Sequence, residues 1–355
     1  MTMYAAHRRL NVGWLPGAVL ATAALTWTLA WAQPAVIGAP PDAPVRLKVS
    51  DPTNVAGAPI YIALDQGYFT EEGLDLELVP MTQTEVIQNV ATGQVQFGMS
   101  LPNPSLFNAL ERGIAVKIVA SAIVNQETDR PAVFMVRRDL IDGGNYTSPH
   151  DLKGATIAAN ADASQFYVER VLVQGGLTQA DVEFVNIPQL PDVVAALASR
   201  AIDAAWLPEP FATSAERQGL ATTVATTGQL FPGASTQTLI MAPTLAETQP
   251  EVAHHFVLAY LRGLRVYYHA MNKSDTDRAP VIQALVNHTP IKDPDLYSVM
   301  GLPGMDPNAS LDLTSWSVFQ DYFVERGFQK QKVDLTPYID TSMLDGALER
   351  LGREP

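Results

Sequence analysis

From Val45 onward, short apolar runs alternate with stretches whose apolar positions recur at helical spacing. Residues 46–50, 75–79, 95–99 and 116–120 predict strands, and 59–72, 84–92 and 104–112 between them predict helices. Each of these helices stops just before a glycine, at Gly73, Gly93 or Gly113, the residue that most easily takes the left-handed conformation closing a helix. Strands alternating with helices imply β-α-β units around a buried, mainly parallel sheet. The pattern then restarts. Residues 156–159, 182–187, 204–207 and 222–226 predict strands, and 164–174, 192–199 and 210–218 predict helices.

The two halves agree residue by residue at one place. Leu101-Pro102-Asn103-Pro104 precedes a helix that closes with Ala109 and Gly113, and Leu207-Pro208-Glu209-Pro210 precedes one that closes with Ala215 and Gly219. The fold class expected is therefore α/β, with two similar lobes. Two further apolar runs, 132–136 and 238–241, flank the second repeat and are read as crossings between lobes. The second lobe is then an insertion at 138–236, and the first is discontinuous, 45–137 with 237–355. From Pro250 the chain is mainly helical, and apolar positions between 252 and 271 form one face suited to packing on the first lobe.

The first 32 residues differ from the rest. His7-Arg8-Arg9 is followed by an uncharged, Ala- and Leu-rich stretch that ends in Ala30-Trp31-Ala32. A basic start, an apolar centre and a small-x-small ending predict a cleaved export signal over 1–32. An uncleaved anchor is the other reading, because the stretch is close to the minimum for a span. A Pro-rich spacer covers 33–44. The 355-residue chain has 37 acidic and 23 basic residues, net −14, and loss of residues 1–32 removes two arginines and no acid, giving −16. So acidic a chain is a poor partner for nucleic acid, whose phosphates need clustered Lys and Arg. With Cys 0, disulfides, thiolate metal sites, cysteine nucleophiles and an N-terminal lipid-modified cysteine are all excluded.

Several stretches together resemble the SsuA/THI5-like (NMT1-like) solute-binding proteins of ABC transporters. They are Ala58-Pro59-Ile60-Tyr61-Ile62-Ala63 with Gln66-Gly67-Tyr68-Phe69 and Glu72-Gly73-Leu74; Ala91-Thr92-Gly93-Gln94-Val95-Gln96-Phe97-Gly98; Asp151-Leu152-Lys153-Gly154; Ile202-Asp203-Ala204-Ala205 with Glu209-Pro210; and Tyr338-Ile339-Asp340. The resemblance implies a type II periplasmic-binding fold with a ligand cleft between the lobes. It also implies a periplasmic receptor for a small solute of the thiamin-precursor pyrimidine, sulfonate or nitrate class. The implied partners are an ABC permease and its ATPase.

Ligands of open α/β sheets bind beyond the carboxyl ends of the strands, where helix N-termini present free N–H groups. The loops there supply the candidates Asn54, Thr82, Gln83, Thr84, Asn103, Ser164, Gln165 and Glu209. Asn103 and Glu209 lead because the repeat gives them matching positions, each ahead of a proline expected to open its helix; for Asn103 a plain helix cap is the alternative. Tyr61, Tyr167 and Trp206 add stacking surface, unless they belong to the core. These loops carry no Lys or Arg; Arg130, near the first crossing, could reach the cleft or be a solvated loop charge. A neutral or nitrogen-rich ligand such as an aminopyrimidine therefore suits the loops better than a sulfonate or nitrate, while helix N-termini could still hold a small anion without a counter-charge, so both classes stay open.

Enzyme chemistry finds little support. There is no Gly-x-Ser-x-Gly, Walker or dinucleotide glycine pattern, and His254, His255 and His269 lack metal-ligand spacing, so no cofactor or metal is expected. The enzymatic branch of the resembled family carries a cysteine-rich motif, which this chain lacks. A ligand-sensing module for a signalling partner is the second reading, and an enzyme on the same fold a third.

Overall fold

The computed structural model describes residues 37–159 and 163–355. The expected export signal, the start of the spacer and residues 160–162 lie outside the described residues. Ten strands are described: β1 (Val45–Asp51), β2 (Leu74–Pro80), β3 (Phe97–Ser100), β4 (Lys117–Val124), β5 (Ala132–Arg137), β6 (Thr156–Ala158), β7 (Glu183–Val185), β8 (Ala204–Pro208), β9 (Ala221–Thr226) and β10 (Ser235–Met241). They form two five-stranded sheets, ordered β2-β1-β3-β10-β4 and β7-β6-β8-β5-β9. In the first, β1 runs parallel to β2 and β3, and β10 runs antiparallel to β3 and β4. In the second, β6 runs parallel to β7 and β8, and β5 runs antiparallel to β8 and β9. The two sheets thus share one topology, and the α/β two-lobe fold read from the repeats is present.

The reversed strands correct the reading of the crossings. Residues 132–136 and 238–241 are not linkers but lie within β5 and β10, fourth in each sheet order. The chain passes between the sheets at 125–131 and again at 227–234, just before each of these strands. A short apolar run looks the same in a crossing as in a buried strand, so pattern alone cannot separate them. One helix also divides. The expected helix over 59–72 is Ala58–Asp65 and then Tyr68–Glu71, parted where Gly67 takes φ 75°.

The helix Leu313–Glu325 joins the lobes. Asp312 caps it, accepting from Thr314 N at 2.9 Å and Ser315 N at 3.2 Å. Trp316 donates its indole N–H to the Ser235 carbonyl of β10 at 2.9 Å, and its ring meets Phe107 edge-on. One turn on, Phe319 meets Phe166 at 4.8 Å between centroids and Phe231 at 5.4 Å. Phe166 and Tyr167 lie on the helix Ala163–Gln174, beside the second sheet. One apolar core therefore runs from the first sheet through this helix into the second lobe.

The two crossings pack against each other. Asp129 is buried in the first of them, and its carboxylate accepts from Gln126 N at 2.7 Å and Gly304 N at 2.6 Å. Burial nonetheless pushes its pKa up. The second crossing brings Gly228 so close that a Cβ there would lie 1.9 Å from the Gln126 carbonyl oxygen and 3.0 Å from Asp129 N. No side chain fits without separating the segments. Gly228→Ala should therefore destabilise the protein by about 1–3 kcal/mol, the usual cost of overpacking. The urea midpoint measures it, and an unchanged midpoint would show that the crossings yield freely.

Candidate functional site

The carboxyl ends of the parallel strands and the amino ends of the two reversed strands meet on one side. Together they enclose a cavity of about 480 Å³. Leu101, Pro102 and Asn103 reach it after β3, Asn125 after β4, and Ala159 and Ser164 after β6. Pro131 and Ala132 enter from the start of β5, and Thr236 and Gln237 from the start of β10. A second cavity of about 450 Å³ adjoins it, sharing Ile123, Pro131, Leu190, Pro208 and Gln237 as walls.

An aromatic pair dominates the first cavity. Tyr167 and Trp206 stack with centroids 4.8 Å apart and planes within 3°. Both rings line the space, and Phe319 closes it from the bridging helix. The Tyr167 hydroxyl accepts from Asn125 Nδ2 at 3.2 Å, and the same amide donates to the Phe231 carbonyl at 3.1 Å. Every other wall is apolar or uncharged. Among the described residues no charged side chain lines the first cavity, and Glu209 alone lines the second. No described group of three or more His, Asp or Glu is placed to hold a metal ion.

The candidates from sequence divide. Asn103, Ser164, Tyr167 and Trp206 meet at the first cavity, and Asn54 and Glu209 at the second. Asn103 is both cap and wall: its Oδ1 accepts from Leu106 N at 3.2 Å. Asn54 is occupied locally, accepting from Ala56 N and donating to the Pro52 carbonyl, each at 2.9 Å. Glu209 is also spoken for. Its carboxylate accepts from Thr213 N and Thr213 Oγ1 at 2.9 Å each, and from Gly301 N at 3.0 Å. It ties the second lobe to a loop beside the first. Its setting departs from Asn103 by one position, because Pro210 is the cap of its helix and Phe211 the first helical residue.

Tyr61, Thr82, Gln83, Thr84 and Gln165 lie outside the walls of both cavities. Tyr61 faces the core, where its hydroxyl donates to Asp51 and its ring stacks on His288 at 5.0 Å. Thr82 caps its helix in a reciprocal pair with Glu85, whose carboxyl those bonds hold below its ordinary range. Gln83 donates to Ser100 Oγ at 2.7 Å, Thr84 is exposed and Gln165 is half-buried. Arg130 is bound to Glu216 Oε2 at 2.8 Å and does not line the cavity. Asn125, Thr227, Gln237 and Phe319 were not legible as site residues. The signal for Gln237 was its place just ahead of an apolar run, which matters only once that run is known to be a reversed strand.

The NMT1/THI5-like family matches residues 54–272, more than half of the chain. The chain belongs to this family. It is 27% identical over 257 residues to the riboflavin-binding protein RibY of Chloroflexus aurantiacus, covering 69% of this chain and 70% of that protein. It is 32% identical over 99 residues to the formylaminopyrimidine-binding protein of Halalkalibacterium halodurans, a match covering 28% of this chain and only 27% of that protein. The fold is similar to the periplasmic aliphatic sulphonate binding protein SsuA from Escherichia coli, with TM-score 0.68, 16% identity, and 85% and 100% of the two chains covered. It is also similar to the desulfurization enzyme DSZB, with TM-score 0.63, 16% identity, and 86% and 99% covered. The fold thus serves binding proteins and an enzyme alike, and the site must decide.

Burial pushes the Tyr167 hydroxyl up to about 12, against the opposing hydrogen bond from Asn125. Unfolded, the same phenol ionises near ~10. Below that pH neither state ionises and the full stability is present. Above it the unfolded chain loses a proton that the folded chain keeps, so stability should fall as pH rises from about 10 toward about 12. Tyr322, also pushed up to about 12 by burial, adds to the same decline. Urea midpoints across this range should drop, and Tyr167→Phe should shallow the slope. A slope that the variant leaves unchanged would remove Tyr167 from the account.

Proposed function

We propose that this protein is an extracytoplasmic solute-binding receptor of an ABC-type importer that captures a neutral, flat, nitrogen-containing heterocycle. The observation that carries this reading is the cavity at the strand ends, whose described lining is uncharged and includes the stacked Trp206 and Tyr167. A flat ring gains stacking and apolar contact there, and the scattered amides and hydroxyls fix its orientation. A sulfonate or nitrate asks for a cation or converging donors, and Arg130, in the first crossing, is already paired with Glu216. The names of the two relatives, a riboflavin-binding and a formylaminopyrimidine-binding protein, agree with a heterocyclic ligand.

Capture proceeds by hinge closure at 125–131 and 227–234, the only two chain crossings between the described sheets. The closed form docks on a membrane permease with its ATPase. The export signal read over 1–32 delivers the receptor to the periplasm, and the sequence holds no cysteine to support the family's enzymatic chemistry.

The test is a thermal-shift and calorimetric screen of protein stripped of ligand by unfolding and refolding. Riboflavin, 4-amino-5-hydroxymethyl-2-methylpyrimidine, taurine and nitrate form the panel. One or both heterocycles should raise the melting temperature; at a hundredfold excess over Kd the gain is about 2.7 kcal/mol. Trp206→Ala should weaken heterocycle binding by about 1–3 kcal/mol, roughly five- to 150-fold. Stabilisation by taurine or nitrate alone would overturn the neutral-heterocycle reading.

A further inference from the structure

We infer that Gln237 reads the hydrogen-bonding edge of the ligand and selects heterocycles carrying a lactam or amidine edge, that is, a donor beside an acceptor. The inference rests on the cavity being the heterocycle site and adds the residue and the edge that set its specificity.

Four observations converge. Gln237 is 7% exposed, yet it lines both cavities and stands among the five residues that join them. Its side-chain amide makes no hydrogen bond to another described residue, whereas the other buried amide on the first cavity's wall, Asn125, donates to Tyr167 and Phe231. Unlike Asn125 Oδ1, its polar atoms are not closed off from solvent, so the amide is open to a partner that arrives with the ligand. Third, the pairing of β10 with β4 is irregular on both sides of Gln237, between Ser235 and Gln237 and again between Gln237 and Thr238. Such irregularities re-aim side chains beside a site, and two of the three in this pairing flank Gln237, which itself stays opposite Ile123. Fourth, the Asn125 Oδ1 atom on the same cavity wall is buried and also lacks a partner. The described wall thus adds an unmet acceptor and no charged donor for an anion.

The chemistry selects the class. A primary amide presents an acceptor and a donor side by side, and pairs in two bonds with an N–H next to a carbonyl, or with a ring nitrogen next to an amino group. A sulfonate, nitrate or carboxylate offers acceptors only and would leave the Gln237 carbonyl, like Asn125 Oδ1, unmet.

The test compares two variants with two matched ligand pairs. The first pair is riboflavin and its N3-methyl derivative, which blocks the lactam N–H. The second is 4-amino-5-hydroxymethyl-2-methylpyrimidine and its N4,N4-dimethyl analogue. The native protein should prefer the unblocked member of the pair it binds by about tenfold or more, as expected for loss of a buried hydrogen bond. Gln237→Leu should lower affinity for the unblocked member by a similar factor and bind both members about equally. Gln237→Glu keeps the shape and removes the donor; it should lose affinity for the aminopyrimidine edge while circular dichroism and melting temperature show an intact fold. A preference that survives in Gln237→Leu, or native protein that does not discriminate within the pair, would overturn this inference and leave the receptor reading standing. Native protein that binds no member of either pair would overturn both.

Discussion

The packing of Phe319 is the contact on which the rest of the structure depends. A protein built from two sheets around a cleft needs something other than the cleft to hold it together. Here the helix Leu313–Glu325 supplies it. Trp316 anchors to the Ser235 carbonyl on the first sheet, and Phe319, one turn away, enters the rings of Phe166, Tyr167 and Phe231. The same Tyr167 stacks on Trp206, so the chain of rings that joins the lobes ends as a wall of the cavity. Rings packed at interior density transmit position, because a shift of one displaces its neighbours. The stacking surface offered to a ligand is therefore set by the same contacts that set the lobe arrangement.

Among the described residues, charge is kept away from that surface. The chain is strongly acidic, yet its acids are used at caps and joints. Asp312 caps the bridging helix, Asp129 pins the crossing to Gly304, and Glu209 holds Thr213 and Gly301. The one cation near the first crossing, Arg130, is neutralised by Glu216. A carboxylate that accepts two or three N–H bonds is satisfied and does not need a ligand. Net charge thus says little about the solute. Groups at the cavity with no described partner say more, among them the Gln237 amide at the junction and Asn125 Oδ1 at the wall.

What sequence alone determined is the element order, the two-fold repeat and the placing of Asn103 and Glu209 just beyond corresponding strands, though not their cap positions. These follow from short-range physics: apolar period, glycine stops and proline starts act over a few residues and are visible without a fold. Tyr167 and Trp206 were legible as aromatic candidates for the same reason. Only the tertiary structure decided that 132–136 and 238–241 are reversed strands, that Tyr61 turns to Asp51 and His288, that Glu209 is already satisfied, and that Gln237 is not. Each depends on which side of a sheet a residue faces, or on a partner tens to hundreds of positions away, such as Gly301 for Glu209. A lone glutamine before an apolar run carries no local mark of its role. It becomes a site residue when an antiparallel strand brings its amino end to the side where the parallel strands end.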